Sequence, residues 1–405
     1  MVTDIDNPEI DDIPVTPDFL RYPMQPGLRS ADIEAEGKVL RIVWADGHEA
    51  RFHAIWLRDN ASDAENLNQE TREVLADVTA IPSDIAIQAI KIDRVGALCV
   101  TWNENRPVSR FHPGWLRRHD YSNPPAVLDP QDMDPVLWDG ATFPEPPSFD
   151  GAAILEDDDV LAEWLSAVAR YGVARLTSVA PEEGMVGRVV ERIGPVRPTT
   201  FGRLFHVKVN PGSGPGSNAY TTLGLSPHTD LPTREYQPGL QFLHCLANAA
   251  RGGAGVMVDG YAVAEAIREV DPAAYRTLTT VALPHSDRAE DSDYRWRSPV
   301  FRLNDRGAVH EVRAGAWVRA PLDLPFDQVE AAYHALRVFF ATAREPRFAA
   351  RVIYRPGDLI AMDNRRLLHG RDAYDQGAGE RWLQGCYGER EELYSRLRIL
   401  ARRGA

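Results

Sequence analysis

The sequence predicts a mainly β protein with helices: a double-stranded β-helix (jelly roll) core preceded by a small β-rich domain. Three observations point there. Short apolar runs bounded by Gly and Pro ("LQFLHCL", "AGVMVDG", "RVIYRPGDLIAMDN", "RWLQGCYG") have the length and punctuation of strands. A few amphipathic helical stretches lie between them, as expected for sheets decorated by helices. An acidic, Pro-rich stretch separates this region from an earlier one with period-two alternation.

Taken in order, residues 1–27 are rich in Asp and Pro and read as a disordered or extended arm. Residues 28–122 read as the β-rich domain. "KVLRIVWADGHEARFH" alternates about a turn at "ADGH", and "IAIQAIKI" and "ALCVTW" flank a second turn at "DRVG". Residues 123–150 read as a linker, and residues 151–405 as the catalytic core. Within the core, "VLAEWLSAVARY" sets Leu161, Trp164, Leu165 and Val168 at helical spacing. Met185 to Ile193 and "YAVAEAIREV" give two further helices. "DQVEAAYHALRVFFATA" gives a fourth, with Val329, Tyr333, Leu336 and Phe340 expected on its apolar face.

Bulk properties exclude several functions. A formal charge of −14 over 405 residues argues against a nucleic-acid partner, because phosphate backbones select basic surfaces. No run of eighteen apolar residues exists to span a membrane, and the acidic N-terminus lacks the features of a signal peptide. Cys99, Cys245 and Cys386 are widely spaced in apolar segments, which suits reduced thiols in the cytoplasm.

The chemistry centres on "SPHTDLP", residues 226–232. A hydrolase reading needs a nucleophile elbow, and no G-x-S-x-G occurs. In extended backbone, residues i and i+2 face the same side, so His228 and Asp230 can reach one ion together. A remote His would complete a two-His-one-carboxylate triad, which leaves metal positions open for other ligands. His369 ends the strand-like run "RPGDLIAMDNRRLLHG", and Arg381 follows twelve residues later. A guanidinium is the favoured fork for a carboxylate.

Together "HTD", "GD…DN.R.LHGR", the following Arg, "WLRDN" and "SRLRIL" resemble the Fe(II)/2-oxoglutarate dioxygenases of the taurine dioxygenase superfamily. The resemblance runs over nearly the whole chain and is strongest to the γ-butyrobetaine dioxygenase and trimethyllysine dioxygenase branch. It implies iron held by His228, Asp230 and His369, 2-oxoglutarate anchored by Arg381, and O₂ as oxidant. Asn364 and Arg366 would either touch the cosubstrate or orient His369 by hydrogen bonding. The implied reaction is hydroxylation of a small polar molecule, foremost a quaternary-ammonium (betaine-type) compound, with release of succinate and CO₂. An amino acid, sulfonate or phosphonate is the alternative substrate, and a non-catalytic ligand-binding relative the alternative class.

The same resemblance places an aromatic cage at Phe201, Phe205, Tyr220 and Tyr387, although Phe201 and Phe205 could equally be core residues. Substrate contacts are implied for Ser217 and Arg313. The Asn-Asn pair that such relatives direct at a substrate carboxylate reads Ala314-Gly315 here. Relatives often bind zinc through cysteines after "WLRDN". This chain has "ASDAENLNQETRE" there, so no structural zinc is expected. A homodimer is implied, without nucleic-acid or membrane partners.

Overall fold

The computed structural model describes residues 13–123, 134–208, 221–375, 377 and 379–403. The chain divides into two compact units, residues 1–128 and 129–405. Ser217 and Tyr220 lie outside the described residues.

The first unit carries two three-stranded antiparallel sheets. One comprises β1 (Leu28–Glu34), β2 (Val39–Trp44) and β3 (Glu49–His53), after which α1 (Ala54–Asp59) holds the "WLRD" segment. The other comprises β4 (Ile87–Ile92), β5 (Leu98–Trp102) and β6 (Ser109–Phe111), followed by α2 (Pro113–Arg118). Both expected hairpins form, because alternation buries Leu40, Ile42 and Trp44 of β2 against Ile87, Leu98, Val100 and Trp102. His112 is buried, and its Nδ1 accepts the Gly114 N–H at the start of α2.

The second unit begins with β7 (Ser148–Asp150), α3 (Asp158–Tyr171), β8 (Val173–Thr177), α4 (Met185–Glu191), β9 (Phe205–Val207), β10 (Leu225–His228) and β11 (Leu240–Asn248). It continues through β12 (Arg251–Gly252), β13 (Gly255–Asp259), α5 (Gly260–Val270), α6 (Pro272–Thr280) and the hairpins β14 (Leu283–Arg288) to β15 (Asp293–Ser298) and β16 (Phe301–Leu303) to β17 (Val309–Val312). It closes with α7 (Val329–Thr342), β18 (Ala349–Val352), β19 (Leu359–Asp363), β20 (Leu367–Arg371), β21 (Tyr374–Asp375), β22 (Arg381–Gly388) and α8 (Arg390–Arg403).

Two sheets dominate. A six-stranded sheet runs β7-β8-β19-β11-β22-β9, and a four-stranded sheet runs β10-β20-β13-β18. Alternation divides their side chains cleanly. On β11, Leu240 and Phe242 join the cluster under α3, α4 and α8, while Leu243 and Cys245 turn to the other face. There they meet Met257 of β13, Val352 of β18 and Leu367 of β20, so this second cluster draws on both sheets. Val258 and Leu368 point away from it, into the cluster that contains α5, α6 and α7.

Helix α3 forms as its spacing predicts. Asp157 caps it by accepting the Asp159 and Val160 N–H groups, and Leu161, Trp164, Leu165 and Val168 are buried. Gly172 ends it at φ 76°, where a Cβ would stand 2.9 Å from Arg366 Cδ, so glycine is needed twice over.

Three expectations need correction. The stretch expected to be a linker to residue 150 is packed from residue 134 onward. Trp138 and Phe143 are buried with Tyr354 and Val173, and β7 pairs parallel with β8. Its apolar anchors outweigh its prolines. Helix α7 buries Ala332, Ala335, Leu336 and Phe339, not the face through Tyr333, which is 43% exposed. Small alanines allow the close approach to α6 that larger side chains would prevent. The run "RPGDLIAMDNRRLLHG" is two strands, β19 and β20, joined by a turn at Asn364–Arg366.

Candidate active site

Register builds the metal centre. His228 on β10 faces His369 on β20 as a direct cross-strand pair, and Met257 of β13 flanks His369 on the other side. The two imidazole centroids lie 4.3 Å apart. Asp230 follows β10 immediately, with Oδ1 3.3 Å from His228 Nε2 and 3.6 Å from His369 Nε2. One donor atom from each of the three residues falls within 4.8 Å of the others.

The donors are prepared for a cation. His228 Nδ1 sits 3.0 Å from the Ser226 carbonyl, which can only accept, so Nδ1 carries the hydrogen and Nε2 the lone pair. Burial, reinforced by the neighbouring His228, pushes the His369 pKa down to about 4, with Asp230 offsetting only part. Its ring is therefore neutral at pH 7, the form that binds metal. Burial alone would lift the Asp230 carboxyl. The His369 and His228 rings and the Tyr387 hydroxyl outweigh it and hold the group below the usual carboxylate range.

Asp230 is also aimed. Its Oδ2 accepts the Tyr387 hydroxyl at 2.8 Å and the Gln241 amide, which leaves Oδ1 turned to the two imidazoles. Asn364 grips the same residue by its backbone: Oδ1 accepts the Asp230 N–H at 2.7 Å, and Nδ2 donates to the Asp230 carbonyl at 3.1 Å. Outer partners of this kind fix a ligand's direction and typically contribute ~10–100-fold in metal affinity. Tyr387→Phe and Gln241→Ala should each weaken iron binding by that order, measured by metal titration, with the fold intact by circular dichroism.

Arg381 opens β22, on the strand face shared by Leu383, Gly385 and Tyr387. It is 5% exposed, and its Nη2 makes a long contact of 3.4 Å to the Gly253 carbonyl. Its Nε and Nη1 are buried and find no acceptor among the described residues. Gly253, at φ 70°, makes room: a Cβ there would stand 3.2 Å from Arg381 Nε. Arg381 and Arg371 both lie over the Tyr374 ring, at 5.3 and 5.0 Å. Burial and the charge of Arg381 lower the Arg371 pKa to about 10. Arg371 donates to the Thr221 and Leu223 carbonyls, so it is Arg381, with Nε and Nη1 unused, that calls for an anion.

The second unit thus carries a donor triad able to hold a metal, a buried guanidinium with unused donors, and a triad carboxylate oriented through its second oxygen. A family model described as "Taurine catabolism dioxygenase TauD, TfdA family" matches residues 137–387, and one described as "Gamma-butyrobetaine hydroxylase-like, N-terminal" matches residues 32–119. The chain belongs to the TauD/TfdA dioxygenase family. It is 41% identical to the γ-butyrobetaine dioxygenase of Pseudomonas sp. (strain AK-1), across 95% of this chain and 99% of that one. The human γ-butyrobetaine dioxygenase is 31% identical, across 90% and 95%. The mitochondrial trimethyllysine dioxygenase of Gallus gallus is 30% identical, across 86% and 83%.

In this TauD/TfdA dioxygenase several expected site residues have other duties. Arg366 is buried in an ion pair with Asp259, at 3.0 and 2.8 Å, and donates also to the Arg170 and Val136 carbonyls. It is a structural clamp, with four of its five N–H donors committed. Asn364 holds Asp230 as described. Arg313 is 1% exposed and spends its guanidinium on Glu311 and on the carbonyls of Pro232, Arg234 and Glu235. It secures the loop after Asp230, and its guanidinium is committed to these partners. Phe201 (38% exposed) and Phe205 lie 5.9 Å apart, and Phe205 stacks on Tyr387 at 5.1 Å. These three aromatics do come together.

Gln241 was missed by sequence reasoning, although a single amide within "LQFLHCL" is a usable signal. Two buried histidines away from the triad affect stability. Burial pushes His244 and His285 down to about 4 from the ordinary 6.5. In the unfolded chain they protonate near pH 6.5, so their contribution is intact above that pH and is lost as pH falls toward 4. The urea midpoint should drop across that window, and His244→Gln should flatten the drop.

Proposed function

We propose that the chain is an iron(II)- and 2-oxoglutarate-dependent hydroxylase of a small quaternary-ammonium carboxylate. The observation that carries this reading is the aimed His228–Asp230–His369 triad together with the buried, under-used guanidinium of Arg381. Three protein donors suit iron(II) because they leave coordination positions for a chelating keto acid and O₂. Iron bound there would supply the oxidative chemistry by which 2-oxoglutarate, O₂ and a substrate C–H bond give succinate, CO₂ and the hydroxylated substrate.

The chain's own residues do the rest. Arg381 takes the distal carboxylate of 2-oxoglutarate as a bidentate partner. Tyr387, Gln241 and Asn364 keep Asp230 directed at the metal. Phe201, Phe205 and Tyr387 present aromatic faces to a trimethylammonium group through cation–π attraction, and Tyr220 is assigned to the same cage. Ser217 contacts the same substrate. The two large sheets form the double-stranded β-helix. Residues 28–122 act as one domain and residues 134–405 as the other, with a homodimer in the cytoplasm as the working form.

A second reading has one observation in its favour. Ala314 stands where relatives direct an amide at the substrate carboxylate, and its N–H and C=O are both taken by Thr229. A sulfonate or phosphonate substrate would not need that amide. A succinate-release screen over betaines, trimethyllysine, amino acids, sulfonates and phosphonates separates the two. The proposal expects betaines to stimulate turnover and to gain one oxygen. Stimulation confined to sulfonates or phosphonates would overturn the quaternary-ammonium assignment.

A further inference from the structure

Among the described residues, Trp317 is the indole whose ring packs against a triad imidazole. Its ring meets the His228 imidazole edge-on at a centroid distance of 4.5 Å, yet 44% of the residue is exposed. A large indole left half in water is unremarkable on an open surface, but not beside a donor triad that is itself largely shielded. Elsewhere around the triad, Tyr387 and Gln241 bond Asp230, and Met257 flanks His369.

The placement of Trp317 is built in. Thr229, between the two ligands His228 and Asp230, exchanges hydrogen bonds with Ala314: its N–H donates to the Ala314 carbonyl at 2.8 Å, and its hydroxyl accepts the Ala314 N–H at 3.0 Å. Gly315 follows, where a Cβ would stand 2.7 Å from Val318 Cγ2 and 3.3 Å from Pro232 Cγ. Next comes the 3₁₀ turn Ala316–Val318 that carries the indole. Arg313, one residue before Ala314, ties the same segment to the carbonyls of Pro232, Arg234 and Glu235. The 313–318 segment is thus bonded to the ligand loop itself, and Trp317 is held at His228 by backbone geometry.

We infer that Trp317 is a specificity-determining residue, packing against the carbon of the substrate that is oxidised. The reasoning is positional and rests on the oxygenase reading of the site. The exposed part of an indole packed on the His228 ring is placed to meet the reacting end of the substrate, whereas Phe201 and Phe205 address the cationic head. The indole sets the lateral position of the reacting C–H bond and shields it from water. A misplacement of about 1 Å at a reacting atom can cost ~100-fold in rate.

The test compares wild type with Trp317→Ala and Trp317→Phe in three readouts: hydroxylated product per succinate, the position of the new hydroxyl, and the visible band formed anaerobically by Fe(II) and 2-oxoglutarate. With γ-butyrobetaine, Trp317→Ala should lower product per succinate by about tenfold or more and scatter the hydroxylation position. The band should persist, and Trp317→Phe should recover most of the coupling. Unchanged coupling and position in Trp317→Ala would overturn the inference, as would loss of the band in step with activity. If wild type turns over only a sulfonate or phosphonate and Trp317→Ala uncouples that reaction, the betaine reading falls and the role of Trp317 stands. Should wild type turn over no member of the panel, both fall.

Discussion

Asp230→Ala abolishes hydroxylation, with a loss well beyond the ~100-fold expected for removing an outer partner of a ligand. The substitution removes the one anionic donor and leaves two neutral imidazoles, which hold a divalent ion poorly. It also strands the Tyr387 hydroxyl and the Gln241 amide, which now share Asp230 Oδ2, so the damage is electrostatic as well as geometric. Asp230→Asn is the sharper variant. Its shape keeps the backbone grip of Asn364, but its charge is gone. Iron content by metal analysis and succinate release should both collapse in each variant, while circular dichroism stays that of the wild type. Retained iron and turnover in Asp230→Asn would remove Asp230 from the metal site.

Arg381→Leu comes next in size. Each hydrogen bond to a charged group contributes about 1.5–3 kcal/mol, so losing a two-pronged carboxylate contact should raise the KM for 2-oxoglutarate by ~100-fold or more. The same change removes a buried cation whose Nε and Nη1 lack acceptors among the described residues. Thermal stability without 2-oxoglutarate should therefore hold or rise, because an unpaired buried charge is costly. The opposite signs are the diagnostic. A structural arginine such as Arg366, clamped to Asp259, would lose stability on truncation. Arg381→Lys should recover only part of the affinity, since a point charge cannot reproduce the planar fork.

Legibility in the sequence followed the physics of each signal. His228 and Asp230 were visible because i and i+2 share a face, and His369 with Arg381 because both lie on well-marked apolar strands. Helix α3 was visible because Leu161, Trp164, Leu165 and Val168 mark the buried face with large side chains. Helix α7 was misread because alanines mark its buried face and the larger Tyr333 points outward. The duties of Arg313, Arg366 and Asn364 could not be read from type or spacing. Each is defined by carbonyls or carboxylates brought close only by the fold, such as Asp259 for Arg366 and the Asp230 peptide for Asn364. Trp317 was hidden for the same reason. Its place at His228 depends on the Thr229–Ala314 bonds across two distant segments.

The central claim is that one site holds iron(II) and 2-oxoglutarate together. Anaerobic addition of 2-oxoglutarate to the Fe(II)-loaded chain tests it most directly, by visible absorption. The account predicts a weak metal-to-ligand band that is absent in Asp230→Ala and His228→Ala and needs far more 2-oxoglutarate in Arg381→Leu. No band in the wild type, or a band indifferent to these substitutions, would contradict it.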